Sequence, residues 1–426
     1  MNSRRKFLKS LGIIGLGSMS NIQLSAKNNI LNSQPTNESI PTLDSGIVEE
    51  KEFWNLIKDQ FQIPTDYAYF NTGTVGISPL QVVNAITKNI LSNEVYGYYN
   101  GEEEARDRLS KFVGIHKDTL CLTHSTTDGL NIAINSIPLE RGDEVIISSH
   151  EHASHALPWI KLSQEIGIIL KVFNPQATAL QNINTIKNLI NKKTKVIAIP
   201  HISCTIGTVY PIKAICNLAR TNNIYTVIDG AHSTGMIDLN IEDLGCDFYA
   251  SCCHKWLLGS KGTGYLYIRK DIVDNIPPKF LGANSAIKWN LAPNELVFSG
   301  YQPNASRYEY GTKNAPLWHG IVAAINLFEK IGMKRVEKYV HSLSQYLFER
   351  LKAEPHKYEI LSSEEEISRA AIIGFKPLHM DYKSYFMSAK KENIRIRSVD
   401  ESNLSSIRIS THIYNNKEEI DRLLIL

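Results

Sequence analysis

From Glu52 onward the chain alternates between two textures. Short apolar, β-branched runs, "DTLCLTH", "DEVIISS", "IILKVFN", "TKVIAIPHIS", "IYTVIDGA" and "DFYASCC", are separated by segments with apolar residues at helical spacing, such as "GLNIAINSI", "INTIKNLINK" and "PIKAICNLARTNN". Continuously apolar runs are strands covered on both faces, and strands that alternate with helices assemble into a mostly parallel sheet. Ahead of them "KEFWNLIKDQF" predicts a helix, "AYFNTGTVGISP" an extended run broken by a Gly-rich turn, and Pro79 opens a helix through "LQVVNAITKNILSN". After "GTGYLYIR" a polar loop leads to a long helical stretch from about Trp318 to Glu349, then a mixed segment ending in "NIRIRSVDESNLSSIRISTHIYNNKEEIDRLLIL". The expected architecture is α/β: a large domain over 51–315 around a mostly parallel sheet, and a small α+β domain over 316–426 that the N-terminal segment joins.

Composition agrees with two cores: the 426 residues are 43% hydrophobic and 21% charged, which excludes a disordered or fibrous chain. The formal charge of +3 is carried by the first 27 residues. Without Arg4, Arg5, Lys6, Lys9 and Lys27, 41 basic side chains face 43 acidic ones, a balance of −2. A near-neutral body argues against nucleic acid as a partner. The basic start, a weakly apolar Gly-containing stretch and then small polar residues form an export signal over 1–27. Ser3, Arg4, Arg5, Phe7, Leu8 and Lys9 resemble the twin-arginine signal, a receptor-read address, so the export machinery is an expected partner and the periplasm or another extracytoplasmic space the expected location. Residues 28–50, rich in Asn, Ser, Pro and Thr, read as a flexible tether. Cys121, Cys204, Cys216, Cys246, Cys252 and Cys253 lack metal-ligand spacing and mostly lie in apolar runs, where cysteine acts as a small apolar residue; no metal is expected.

Ligands of parallel sheets gather at the carboxyl ends of the strands, and polar groups cluster there in this chain. "HSTTDGLNIAI" sets Ser125, Thr126 and Thr127 between a strand and a helix, where free N–H groups, hydroxyls and the helix dipole favour a phosphate; the same residues also serve as ordinary helix caps. "YTVIDGAHSTG" ends an apolar strand in Asp229, an N-cap or a cation partner, with Gly230 leaving room for a ligand and His232 close behind. Lys255 stands 26 residues after Asp229, at the end of the next strand. A lysine buried there becomes a nucleophile as desolvation disfavours its ammonium form. Phosphate anchor, acidic strand end and poised lysine, in this order, match the needs of pyridoxal phosphate.

With "ARDRLSKFVG", "SSHEHASHALPW", "IPHISCTIGTVYPI", "VIDGAHSTG", "CDFYASCCHKWLLGSKGTGYLYI" and "IRISTHIYN", the chain resembles the class V aminotransferase family of fold type I pyridoxal phosphate enzymes, from about Trp54 to the C-terminus. The resemblance implies that Lys255 forms the Schiff base, Asp229 pairs with the pyridinium nitrogen and His152 stacks on the ring. It implies that His232 hydrogen-bonds the phenolic oxygen, that Thr126, Thr127 and His254 hold the phosphate with Thr312 of the neighbouring subunit of a homodimer, and that Arg408 grips the α-carboxylate of an amino acid. "DGAH" and "CHKWL" look most like the isopenicillin N epimerase-like branch, so transamination or epimerisation leads. Cysteine lyase or desulfurase-type β-elimination is the alternative, and a catalytically silent exported binding protein on the same fold a further one. Two departures stand out: Cys252 replaces a serine that many members use for the phosphate, and no cysteine follows Cys253, whereas desulfurases of the family take up sulfur on a C-terminal cysteine. Arg395 and Arg397, alternating with Ile on a strand, are expected to be solvated. The side-chain pocket is expected from loops 73–78 and 284–307.

Overall fold

The computed structural model describes residues 49–426; the expected signal and nearly all of the tether lie outside them. Helix α1 (Glu50–Lys58) leads through the two-residue strand β1 (Ala68–Tyr69) to α2 (Leu80–Tyr96) and α3 (Glu102–Phe112). The alternation read from the sequence then appears as β2 (Leu120–Thr123), α4 (Thr126–Ser136), β3 (Glu144–Ser148), α5 (Ala153–Glu165), β4 (Ile169–Phe173) and α6 (Ala179–Leu189). It continues through β5 (Thr194–Pro200), α7 (Ile212–Thr221), β6 (Tyr225–Asp229), α8 (Ile241–Leu244), β7 (Phe248–Cys252), β8 (Gly264–Ile268) and α9 (Lys270–Asn275). These strands form one seven-stranded sheet in the order β2-β8-β7-β6-β5-β3-β4, with β8 alone running against the others.

The β-branched side chains of the middle strands are the frame of this sheet. Val196, Ile197 and Ile199 of β5 and Val227 and Ile228 of β6 have no exposed surface, and each such side chain contributes about 1.5–3 kcal/mol by burial. The run "IILKVFN" departs from the expected two-sided burial. It forms β4 at the sheet edge, with no strand beyond it among the described residues, and Ile169 and Val172 are exposed.

A hairpin follows, β9 (Trp289–Ala292) with β10 (Glu295–Phe298), then α10 (Pro316–Ile331) and α11 (Met333–Lys352). The single long helix expected here is broken at Gly332, whose φ of +86° no helix accommodates and which glycine tolerates without strain. The rest comprises β11 (Tyr358–Ile360), β12 (Ile372–Pro377), α12 (Tyr382–Lys391), β13 (Ile394–Arg395), β14 (Arg397–Val399), β15 (Ser406–Ser410) and α13 (Lys417–Leu424). Strands β11-β12-β15-β14 make an antiparallel sheet, whereas β13 pairs in parallel with β1, Ala68 opposite Ile394. The chain therefore changes pairing partner at Ile396. All six cysteines are buried and unpaired.

Candidate active site

The carboxyl ends of β2, β3, β5, β6 and β7 open on one edge of the large sheet, and the turns that follow them enclose a cavity of about 250 Å³. Lys255, Asp229, His152, Thr126, Thr127, His232, His254 and Arg408 all line it. Thr312, expected to serve a neighbouring subunit, is exposed and lines no part of it. A larger cleft of about 710 Å³ lies elsewhere, between α1 and α11, around Trp54 and Tyr339. Those two rings stack at 3.8 Å. None of the strand-end residues lines that cleft, so chemistry rather than size selects the smaller cavity.

Local structure explains each placement. Ser125 caps α4 by accepting a hydrogen bond from the Asp128 N–H at 3.2 Å, which puts Thr126 and Thr127 in the first turn at the positive end of the helix. Asp229 is the last residue of β6, 6% exposed, and its Oδ1 accepts from the Ala231 N–H at 2.9 Å. Gly230 has a different role from the one expected: a Cβ there would meet the Tyr249 ring at 2.0 Å, so its missing side chain admits a core aromatic rather than a ligand. His152 is the N-cap of α5, its Nδ1 accepting from the Ser154 N–H at 3.2 Å. Its neighbours point elsewhere, His150 to the Thr205 hydroxyl at 2.8 Å and His155 to Glu151 at 2.9 Å. Of these three histidines, His152 alone lines the cavity.

Buried atoms without partners test whether the expected cofactor fits. Thr126 Oγ1 and His254 Nδ1 have no hydrogen-bond partner among the described residues although both are buried, a costly state and one that a phosphate oxygen would relieve. Burial, then Lys255 and Lys261, hold the His254 ring down to about 4, so it is neutral at pH 7 and offers one N–H. Ser251 is fully buried, its hydroxyl bonded to the Gly230 carbonyl at 2.8 Å, and Cys252 takes its place in the cavity wall. The donor set fits pyridoxal phosphate: Thr126, Thr127 and His254 at the start of α4 and after β7 would hold its phosphate, and Asp229 and Lys255 stand at the adjoining strand ends.

At the other end, Arg408 of β15 is 1% exposed. Its guanidinium donates to the Cys204 carbonyl at 2.8 Å, Thr74 Oγ1 at 2.8 Å and Asn71 Oδ1 at 3.1 Å, while Nε has no partner among the described residues. Burial, and then Arg397, pull this guanidinium down to about 9. Arg397 stands directly opposite Arg408 in the β14–β15 pair and also lines the cavity, in contrast to the solvated position expected of it; Glu401 pairs with it from outside. Arg395 is exposed as expected. The pairing switch at Ile396 is what separates the fates of the two arginines, and alternation alone does not show it. Cys204, four residues past the end of β5, is a further lining residue that sequence reading passed over. Gly73 and Thr74 line the cavity as the loop expectation had it, but the hairpin within 284–307 lines no part of it.

Glu151, His155 and Asp229 are buried with their polar atoms within 4.8 Å of one another. Burial raises the Glu151 carboxyl to about 7 against the pull of His155, and Glu151 in turn carries His155 upward against its own desolvation.

Comparison with known proteins agrees with the fold. The model of the family "Aminotransferase class-V" matches residues 84–423. A probable cysteine desulfurase of Halalkalibacterium halodurans is 26% identical over 392 residues, which cover 86% of this chain and 94% of the relative. A cysteine desulfurase of Serratia proteamaculans is 28% identical over 337 residues, 76% and 80% of the two chains. Among solved structures, the apo cysteine desulfurase of Thermococcus onnurineus NA1 superposes with a TM-score of 0.77 at 23% identity, over 87% of this chain and 96% of that one. The complex of a cystine C–S lyase with its reaction product cysteine persulfide does so with a TM-score of 0.76 at 24% identity, over 85% and 97%.

Proposed function

Because the chain belongs to the class V aminotransferase family and is a pyridoxal phosphate enzyme, we propose that it cleaves the C–S bond of a cysteine-type amino acid and releases the sulfur on a small molecule. The relatives turn the choice away from transamination and epimerisation toward the alternative, sulfur removal. The observation that carries the finer reading concerns thiols. The two that line the cavity, Cys204 and Cys252, are buried in its wall, and no cysteine follows Cys253 to take up sulfur.

The bound cofactor supplies an electron sink for the bonding pair of the α-carbon. The chain supplies the rest. Arg408 would hold the α-carboxylate through its fork, and Asp229 would pair with the ring nitrogen as a counter-charge. Lys255, once its nitrogen is free, takes the α-proton. Loss of the β-sulfur and hydrolysis then balance as cysteine plus water giving pyruvate, ammonia and sulfide, or cystine plus water giving pyruvate, ammonia and cysteine persulfide.

The test is a product assay on purified protein with pyridoxal phosphate, cysteine or cystine, beside Lys255→Ala. Pyruvate and ammonia in equal amounts, absent from the variant, are the expected outcome. Alanine as the carbon product would make it a desulfurase instead, and keto acid without ammonia a transaminase.

Two further parts of this reading come from the sequence. Export by the twin-arginine route is tested by replacing Arg4 and Arg5 with Lys and following the protein between cell fractions. A homodimer in which Thr312 completes the neighbouring subunit's phosphate site gains support from the exposed apolar face of the hairpin, where Trp289 pairs with Phe298 and Leu291 with Leu296. Sedimentation of the wild type beside Leu291→Lys/Leu296→Lys measures it.

A further inference from the structure

The cavity holds a histidine whose proton is placed by a residue outside the expected site. Trp256 is fully buried directly after Lys255, and its indole Nε1 lies 3.1 Å from Nδ1 of His232. Indole N–H is a donor only, so Nδ1 must present its lone pair. Burial, then Lys255, Arg408 and His152, keep His232 far below the usual histidine range, so the ring is neutral and its one proton sits on Nε2. That nitrogen faces Lys255 Nζ at 3.4 Å. Trp256 is itself held from the other side, since His412 Nε2–H donates to its carbonyl at 2.8 Å.

We propose that Trp256 is a positioning residue that locks His232 as the Nε2–H tautomer, making it an obligate hydrogen-bond donor toward the reacting nitrogen and barring it from acting as a base. A donor at Nε2 is matched by a nitrogen with a lone pair and opposes an ammonium, two N–H groups then facing each other. The same N–H serves a phenolic oxygen of the cofactor equally well, and in both cases its loss favours the protonated form of the lysine-bound nitrogen. The charged or titratable groups around His232 are Lys255 after β7, Asp229 at the end of β6, His152 at the start of α5, Arg397 of β14 and Arg408 of β15. None of them donates to Nδ1, so the lock rests on the indole. The inference does not depend on which substrate bond breaks.

The first test needs no variant at the lock. In protein carrying 15N-histidine, two-bond 1H–15N correlations report the tautomer of each ring, and His232→Gln identifies the signal. The expected result is an Nε2–H tautomer that does not change between about pH 5 and 8, the range in which an ordinary histidine titrates. An Nδ1–H ring, or an imidazolium there, overturns the proposal. The second test is a cycle. Trp256→Phe should raise the midpoint of the pH titration of the lysine-bound cofactor's visible band by about one unit, the size of one hydrogen bond to a charged group. In the His232→Gln background, where the amide donates without any choice of tautomer, Trp256→Phe should leave the midpoint where it is. An equal shift in both backgrounds would mean that Trp256 acts by packing alone, and overturns the lock.

Discussion

The two ends of the cavity are built in opposite ways. At the cofactor end, Thr126, Thr127 and His254 come from two turns that directly follow neighbouring regions of one sheet, and they offer neutral donors. At the other end, proposed for the substrate, Arg408 and Arg397 arrive from the antiparallel sheet, Thr74 from the loop after β1 and Cys204 from the loop after β5, and the offer is fixed positive charge. The first end is a property of strand–turn–helix units, so it survives as long as the sheet does. The second exists only when separate parts of the chain are docked. A fully buried guanidinium with an unpartnered Nε is held in place by its neighbours, and an arriving carboxylate compensates it. On the function proposed above, substrate binding would thereby be coupled to the seating of the C-terminal sheet on the large one.

The strongest way to break this contrast is Arg408→Gln. It should lower kcat/KM about 100-fold, the worth of a charge-assisted bidentate pair, and leave the visible band of the bound cofactor in place. Steady-state kinetics beside the absorption spectrum checks it, and loss of the band would show that the two ends are one unit.

The reciprocal change, Thr126→Val, acts on the orphaned hydroxyl. Cofactor affinity should fall about tenfold, as expected for one hydrogen bond to a charged group, while KM at saturating cofactor stays unchanged. Fluorescence titration of the apo protein measures the first quantity.

The smallest effect concerns His254 and sharpens the contrast by pH. Its folded value of about 4 lies below the ordinary 6.5, so between these values the unfolded chain binds more protons. Its contribution to stability is therefore complete above about pH 6.5 and is lost as pH falls toward 4, by on the order of 1 kcal/mol given partial exposure. A phosphate dianion beside the ring favours its protonated form and shrinks this loss. Thermal unfolding across that window, apo against cofactor-loaded and wild type against His254→Gln, gives the comparison.

The hydrophobic pattern was sufficient for the alternation of β2 to β7 with their helices, because strands covered on both faces must be apolar throughout. It was also sufficient to put Asp229 and Lys255 at strand ends, since a charged residue closing such a run has no other place to reach water or a ligand. Alternation misled where pairing changes within a few residues. Arg395 and Arg397 share one pattern in the sequence, yet the switch at Ile396 from β1 to β15 leaves one outside and turns the other into the cavity. The edge position of β4 and the break at Gly332 escaped for the same kind of reason, since a strand's neighbours and a backbone angle are not written in hydropathy.

What the sequence determined by itself, then, was the alternation of strands and helices through the large sheet, the strand ends there, and the spacing of Asp229 and Lys255 that calls for pyridoxal phosphate. Tertiary structure alone decided the placement of Arg397 and Cys204 in the cavity, the burial of Arg408, and the direction of the hydrogen bond from Trp256 to His232. Those depend on atoms brought within about 3 Å from segments tens to hundreds of residues apart, and only packing in three dimensions sets such distances.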